Sequence, residues 1–188
     1  MWITAHGILT VPMNTSRLGT LALTWLGIFA FRFFLLPVRA PNVEPLLAAL
    51  MPIGKRAGAW VSVVFAVSSI VVYDAITSGW GSWTLAAAGA YALVSVLASI
   101  YFHFAPSTRM HFVGFGIGAT LLYDALTGLT VGPIMFHQSL TAALMGQIPF
   151  TLMHLVGAIL FALVLSPILD RALAAEPQTA SASQPASA

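Results

Sequence analysis

Two acidic residues lie in a short motif that occurs twice in the chain. The pattern Tyr-Asp-Ala-x-Thr occupies residues 73–77 and again residues 123–127, each time after an apolar run. Each Asp is therefore expected in the last turn of an apolar helix, where the helix dipole makes a carboxylate unfavourable by roughly 0.3–1 kcal/mol. A carboxylate at the edge of a low-dielectric region needs a partner. The repetition favours partners or a ligand; the alternative is an interfacial Tyr-Asp pair at the level of the lipid headgroups.

Other polar residues interrupt apolar segments, and such residues are functional candidates by default. We expect Arg32 and Arg39 to pair with Asp74, Asp124 or Glu44. Aromatic residues near the acidic motifs are expected to stack on a ring of the ligand. The full set of candidate ligand-binding residues is Arg32, Asn42, Glu44, Tyr73, Asp74, Trp80, Tyr123, Asp124, His137, Gln147 and His154.

Each candidate also has a structural alternative. Arg32 is long enough to reach the membrane interface with its charged end. Trp80 is a possible interfacial anchor, and His154 a possible hydrogen-bonded core residue. Glu44, beside Pro45, is a possible first-turn charge that the helix dipole favours.

Enzyme motifs are missing from the sequence. It has no Gly-x-Ser-x-Gly, no His-Glu-x-x-His, no P-loop and no dinucleotide fingerprint. With no cysteine it has no thiol nucleophile, and the spacing of His137, His154 and Asp124 matches no helical metal-ligand pair. The Gly-x-Gly-Asp motif of intramembrane aspartyl proteases is absent at Asp124. We therefore predict no catalytic residues, no metal and no cofactor.

Composition shows which kind of fold positions these residues. Of 188 residues, seven are Lys or Arg and five are Asp or Glu, and 59% are apolar. The charged fraction is 6%, against roughly 25% in soluble domains, and the mean hydropathy is +0.94. These values exclude a soluble domain and a disordered chain. The pI of 9.4 rests on an excess of two charges, so it does not indicate nucleic-acid binding.

The predicted fold is an all-α polytopic membrane protein with about six transmembrane helices. The expected spans are residues 18–37, a short or tilted 41–54, 57–73, 84–104, 110–126 and 148–169. An extra outer or re-entrant helix is expected near 134–145; the alternative is that 131–146 crosses the membrane. With both termini cytoplasmic, five of the seven basic residues obey the positive-inside rule, which predicts a bacterial inner-membrane location.

The predicted organisation has three parts. Residues 1–17 form an N-terminal extension, in which Met1 or Met13 is the start. Residues 18–170 form the transmembrane domain. Residues 171–188, rich in Ala, Ser and Pro, form a disordered tail. In the six-span arrangement both Tyr-Asp motifs lie on the outer side, and their helices run in the same direction as a parallel internal repeat.

The chain resembles the substrate-binding S components of energy-coupling factor transporters and the uncharacterised bacterial membrane proteins related to them. The resemblance covers about residues 18–170 and rests on residues 39–45, a helix ending in Asp74, residues 122–128 and residues 146–154. It implies a six-helix bundle that binds a vitamin or vitamin precursor near the outer face. It also implies partnership with a transmembrane coupling subunit and ATPase subunits. The small-residue docking pattern is incomplete, since Leu26 lies between Ala22 and Ala30.

The leading functional hypothesis is therefore a membrane subunit that binds a small solute for uptake. A structural or scaffold protein of the cell envelope is the second hypothesis. An intramembrane enzyme that uses Asp74 and Asp124 is the third.

Overall fold

A computed structural model describes residues 11, 13–35, 37–38, 40 and 42–174 of the chain. This described part is helical and contains no strand. Arg39, the predicted N-terminal extension up to residue 10, and residues 175–188 of the predicted tail lie outside it. The helices, in chain order, are α1 (Thr15–Phe34), α2 (Leu46–Ala57), α3 (Ala59–Thr77), α4 (Ser82–Phe104), α5 (Arg109–Asp124), a π-helical segment (Ala125–Val131), α6 (Gly132–Phe136) and α7 (Leu140–Ala174).

Five helices are long and apolar enough to cross a membrane. They are Thr15–Phe34, Ala59–Thr77, Ser82–Phe104, Arg109–Phe136 and Leu140–Ala174. Large apolar side chains such as Leu23, Leu85 and Val164 are exposed on the outside of the bundle, where water would be an unfavourable environment and lipid a suitable one. The prediction of an all-helical fold with several helices long and apolar enough to cross a membrane is confirmed for the described residues.

The short helix α2 forms the centre of the bundle. Ten of its twelve residues are buried, all except Lys55 and Arg56, and it packs against α3, α4, α5 and α7. Twelve residues span about 18 Å, too little to cross a core of about 30 Å. The expected short second helix is therefore present. It begins at Leu46 rather than near residue 41, after the left-handed Asn42 (φ 64°).

The second half of the chain differs from the prediction. The fifth span does not end near residue 126 but continues through the π-helical segment into α6 and ends at Phe136. No separate helix covers 134–145, because a left-handed turn at His137 ends α6 and α7 begins at Leu140. Helix α7 then continues through Pro149 and Pro167. Its 35 residues span about 52 Å, so it extends beyond the membrane core.

One end of the bundle is held together by basic side chains. Arg17 Nε donates to the backbone oxygen of Leu173 (3.1 Å), and Lys55 donates to that of Ala105 (3.0 Å). Arg56 makes two hydrogen bonds to the Asp170 carboxylate, at 2.7 and 2.8 Å, and these bonds raise its pKa. The remaining acidic residues of the described part, with Arg32, gather at the opposite end.

Candidate functional site

A polar cavity of about 170 Å³ lies at that opposite end. Four helices, α1, α3, α4 and α7, contribute to it, together with the connection before α2 and the end of α5. Its walls combine ionisable, hydrogen-bonding and aromatic side chains. The lining residues are Arg32, Asn42, Glu44, Ile70, Asp74, Trp83, Ala87, Tyr91, Tyr123, Phe150 and His154.

Arg32 is fixed on three sides in the last turns of α1. Only 8% of its surface is exposed. Its Nε lies 3.0 Å from Glu44 Oε2, and its guanidinium carbon lies 4.0 Å from the centre of the Tyr73 ring. A terminal nitrogen reaches the backbone oxygen of Ser69 at 3.5 Å. Of the three predicted partners, Asp74, Asp124 and Glu44, it is Glu44 that forms an ion pair with Arg32. The guanidinium does not extend outward to the interface.

Glu44 is held in place by α4 and α7. The Tyr91 hydroxyl donates to Glu44 Oε1 at 2.5 Å. The backbone of residues 42–44 lies directly on Gly157, where an added Cβ would be 3.0 Å from Val43 Cα and 3.1 Å from Glu44 N. This close approach requires glycine at position 157. The ion pair is therefore positioned by a helix–loop contact as well as by charge.

Asp74 projects from the end of α3 into the same cavity. Its Oδ2 accepts a 2.7 Å hydrogen bond from the Thr84 hydroxyl in the first turn of α4. The helix ends three residues later, followed by Gly79 at φ 79°. A carboxylate that lines a cavity retains lone pairs for a further donor.

Asp124 lies behind the cavity wall and is only 2% exposed. It accepts a 2.6 Å hydrogen bond from the Thr151 hydroxyl, and its other oxygen lies 2.8 Å from His154 Nδ1. When the Asp124 carboxylate is ionised it acts only as an acceptor, and the contact then requires a proton on Nδ1. His154, which lines the cavity, is thereby oriented by Asp124.

Gln147 extends this network away from the cavity. Its side-chain nitrogen donates to Thr151 Oγ1 at 3.1 Å. Its amide oxygen lies against Gly128, where a Cβ would be only 1.7 Å away. Gln147 lines a second cavity of about 270 Å³, adjacent to the first. The network thus connects the walls of both cavities.

Five of the predicted site residues do not line the polar cavity: Tyr73 and Asp124 contact residues that do, Gln147 lines the second cavity, and Trp80 and His137 lie elsewhere. Trp80 is 73% exposed, and its indole donates to the backbone oxygen of Val71 at 2.9 Å. His137 is exposed at the left-handed turn that ends α6. Neither residue is among those that line the cavity.

The structure also brings together residues that the sequence did not single out for this site. Tyr91 is fully buried and bonded to Glu44, and its ring centre lies 4.5 Å from that of Tyr123. Trp83 and Phe150 complete the aromatic walls. A single Tyr in a long apolar helix carries no distinctive signal. The one feature of the sequence that indicated such a residue is that a buried Glu44 carboxylate needs a hydrogen-bond donor.

The described residues include no cluster of three His, Asp or Glu side chains able to hold a metal ion. The side chains that line the cavity are hydrogen-bonding, charged and aromatic ones. Comparison of the sequence with known protein families, with curated proteins and with solved structures finds no match.

Proposed function

We propose that this chain is a substrate-binding integral membrane subunit for the uptake of a small solute, and that the polar cavity is its binding site. The observation that carries the proposal is the composition of the cavity wall. An ion pair, a further carboxylate, a histidine and four aromatic side chains converge on one concave space. A concave site with a few convergent polar groups is the usual form of a small-molecule site.

The wall chemistry favours a compact solute that carries a ring and a cationic or N–H donor group. Arg32 is already engaged by Glu44 and Tyr73, which reduces its ability to bind an anion. Asp74 supplies a carboxylate to a donor, and Tyr91, Tyr123 and Trp83 supply faces for a ring. A volume of about 170 Å³ is below the usual 300–1,000 Å³ of drug-sized sites, so the solute is small.

The same proposal includes the membrane arrangement. We place the cavity on the outer side and the basic end on the cytoplasmic side of a bacterial inner membrane, because basic residues prefer the cytoplasmic side. Both termini are then cytoplasmic, and the two Tyr-Asp helices form a parallel repeat. In line with the resemblance to energy-coupling factor S components, uptake would require a coupling subunit and ATPase subunits on separate chains.

The proposal predicts ligand-induced stabilisation. Binding to the folded state raises the free energy of unfolding by about 2.7 kcal/mol when the ligand is present at 100 times its Kd. The experiment is thermal unfolding of the purified protein in detergent, with a panel of small ring-bearing amines and vitamins. Asp74→Asn should abolish the shift, and the matched control Arg109→Gln, at the basic end, should retain it.

Two outcomes would count against the proposal. If no compound of the panel stabilises the protein, the cavity is not a site for this solute class. If a compound stabilises wild type and Asp74→Asn equally, it binds elsewhere. A scaffold protein, the second hypothesis, would tolerate Asp74→Asn and Asp124→Asn with its assembly intact.

A further inference from the structure

The second cavity adjoins the polar cavity and has a different character. Its lining contains neutral polar groups and small residues but no ionisable side chain. Trp83 and Phe150 line both cavities. The other lining residues are Thr127, Gly128, Gly132, Phe136, Gln138, Ala142, Ala143, Gly146 and Gln147.

The second cavity is more open to the surroundings of the protein than the polar cavity is. It lies beside the turn that connects α6 to α7, where Gln138 and Ala142 are exposed. Trp83 is 38% exposed and packs against Phe136, with ring centres 6.4 Å apart. Ala87, one turn further along α4, lines the polar cavity and is buried. Trp83 and Phe150 line both cavities, so these two side chains lie where the open cavity meets the cavity that Ala87 lines.

Three glycines keep this cavity clear of side chains. Gly128 lies within the π-helical segment, and Gly132 directly follows it. The wider turn of this segment changes the direction in which the side chains after Asp124 point. Gly146 lines this cavity and has no atom within 4 Å of an added Cβ, so a larger residue fits there without clashing with the fold. The amides of Gln138 and Gln147 can donate to or accept from an uncharged polar group.

We propose that the second cavity is a neutral transit site through which the solute reaches the polar cavity, and that Trp83 and Phe150 form the gate between the two. The inference rests on the proposed function, and it specifies the route to that binding site. The solute would first contact the amide groups and glycine backbone of the second cavity, and then the charged side chains of the polar cavity. Trp83 and Phe150 are the two side chains that the walls of both cavities share.

The absence of cysteine from the chain permits a test that needs no knowledge of the solute. Ala87→Cys places a single thiol in the polar cavity. Its rate of labelling by 2-(trimethylammonium)ethyl methanethiosulfonate, applied from outside to protein in vesicles, reports access to that cavity. Ala142→Cys places the thiol in the open cavity and should be labelled faster.

Two further substitutions, each added to Ala87→Cys, test the route and the gate. Trp83→Ala should raise the labelling rate by about tenfold or more, and Gly146→Phe should lower it by about tenfold. The matched controls are Trp60→Ala and Gly118→Phe, at exposed positions outside both cavities, which should leave the rate unchanged. If Trp83→Ala does not fold, Trp83→Phe gives a smaller rise in the same direction.

An unchanged rate in either folded test variant would overturn the proposal. No change with Trp83→Ala means that Trp83 is not a gate, and no change with Gly146→Phe means that access follows another route. These results are independent of the thermal-shift experiment. The labelling experiment can therefore contradict the route while the thermal-shift experiment supports the binding site. The opposite pair of results can be recognised in the same way.

Discussion

The two Tyr-Asp-Ala-x-Thr motifs have the same local chemistry but different surroundings. In both, the Thr hydroxyl donates to the Tyr carbonyl four residues earlier, at 2.8 Å. In both, the Asp accepts a hydrogen bond from a Thr hydroxyl of another helix, at 2.7 Å for Asp74 and 2.6 Å for Asp124. The first motif ends its helix and presents Asp74 to the cavity. The second continues into a π-helical segment and buries Asp124 against His154.

The difference shows that neighbouring helices, and not the motif itself, determine the role of each carboxylate. We interpret Asp74 as a ligand-contacting group and Asp124 as a positioning residue for His154. The predictions below, in order of decreasing effect, test this division.

Stability should distinguish the two carboxylates most clearly. Asp124→Ala leaves His154 and Thr151 without their buried partner and is expected to lower the free energy of unfolding by about 3 kcal/mol. Asp74→Ala should cost about 1 kcal/mol, because it removes a single hydrogen bond beside a cavity. Thermal or chemical unfolding in detergent measures both values, and equal losses would remove the distinction.

Charge at the cavity should depend on Asp74. In the Ala87→Cys background, a cationic methanethiosulfonate should react faster than the anionic sulfonatoethyl reagent. Asp74→Asn should reduce that ratio by about tenfold, equivalent to ~1.4 kcal/mol of electrostatic free energy. Asp124→Asn, deeper and shielded by His154, should reduce it less. A larger effect of Asp124→Asn would reverse the two roles.

The position after the repeated Thr is Ser78 in the first motif and Gly128 in the second. Gly128→Ser should displace the Gln147 amide, which lies where the new side chain would be, and break its hydrogen bond to Thr151. The side chain is flexible, so the expected cost is about 1 kcal/mol. The reciprocal Ser78→Gly, at an exposed helix end, should change the unfolding free energy by less than about 0.5 kcal/mol.

The repeated Thr residues should show the smallest difference. Thr127 is buried within the π-helical segment, whereas Thr77 is exposed near the end of α3. Replacement by Val keeps the shape and removes the hydroxyl. Thr127→Val should therefore cost about 1 kcal/mol, and Thr77→Val almost nothing. Equal costs would indicate that burial does not separate the two motifs.

Charge and hydropathy predicted much of this structure from the sequence. Arg32 and the two Asp residues were recognisable because a charge in an apolar segment is costly without a partner. His154 was recognisable because an ionisable histidine in an apolar segment is also a functional candidate. The short second helix followed from the prolines and Glu44 near its start.

Other features depend on three-dimensional packing and had no local signal. The fifth span was expected to end near residue 126, but the chain continues as a π-helical segment and Pro133 occupies the first turn of α6. A separate span was expected to begin at residue 148, yet α7 is continuous from Leu140 through Pro149, since neighbouring groups can compensate for a proline within a membrane helix. Tyr91 belongs to the site only because α4 packs beside Glu44.

The most direct test of the binding site is native mass spectrometry of the protein purified from its own membrane. We expect the wild-type chain and Arg109→Gln to retain a small molecule, and Asp74→Asn to lose it. A chain that carries no small molecule, or an Asp74→Asn variant that retains the same one, would contradict the assignment of the polar cavity as the solute site.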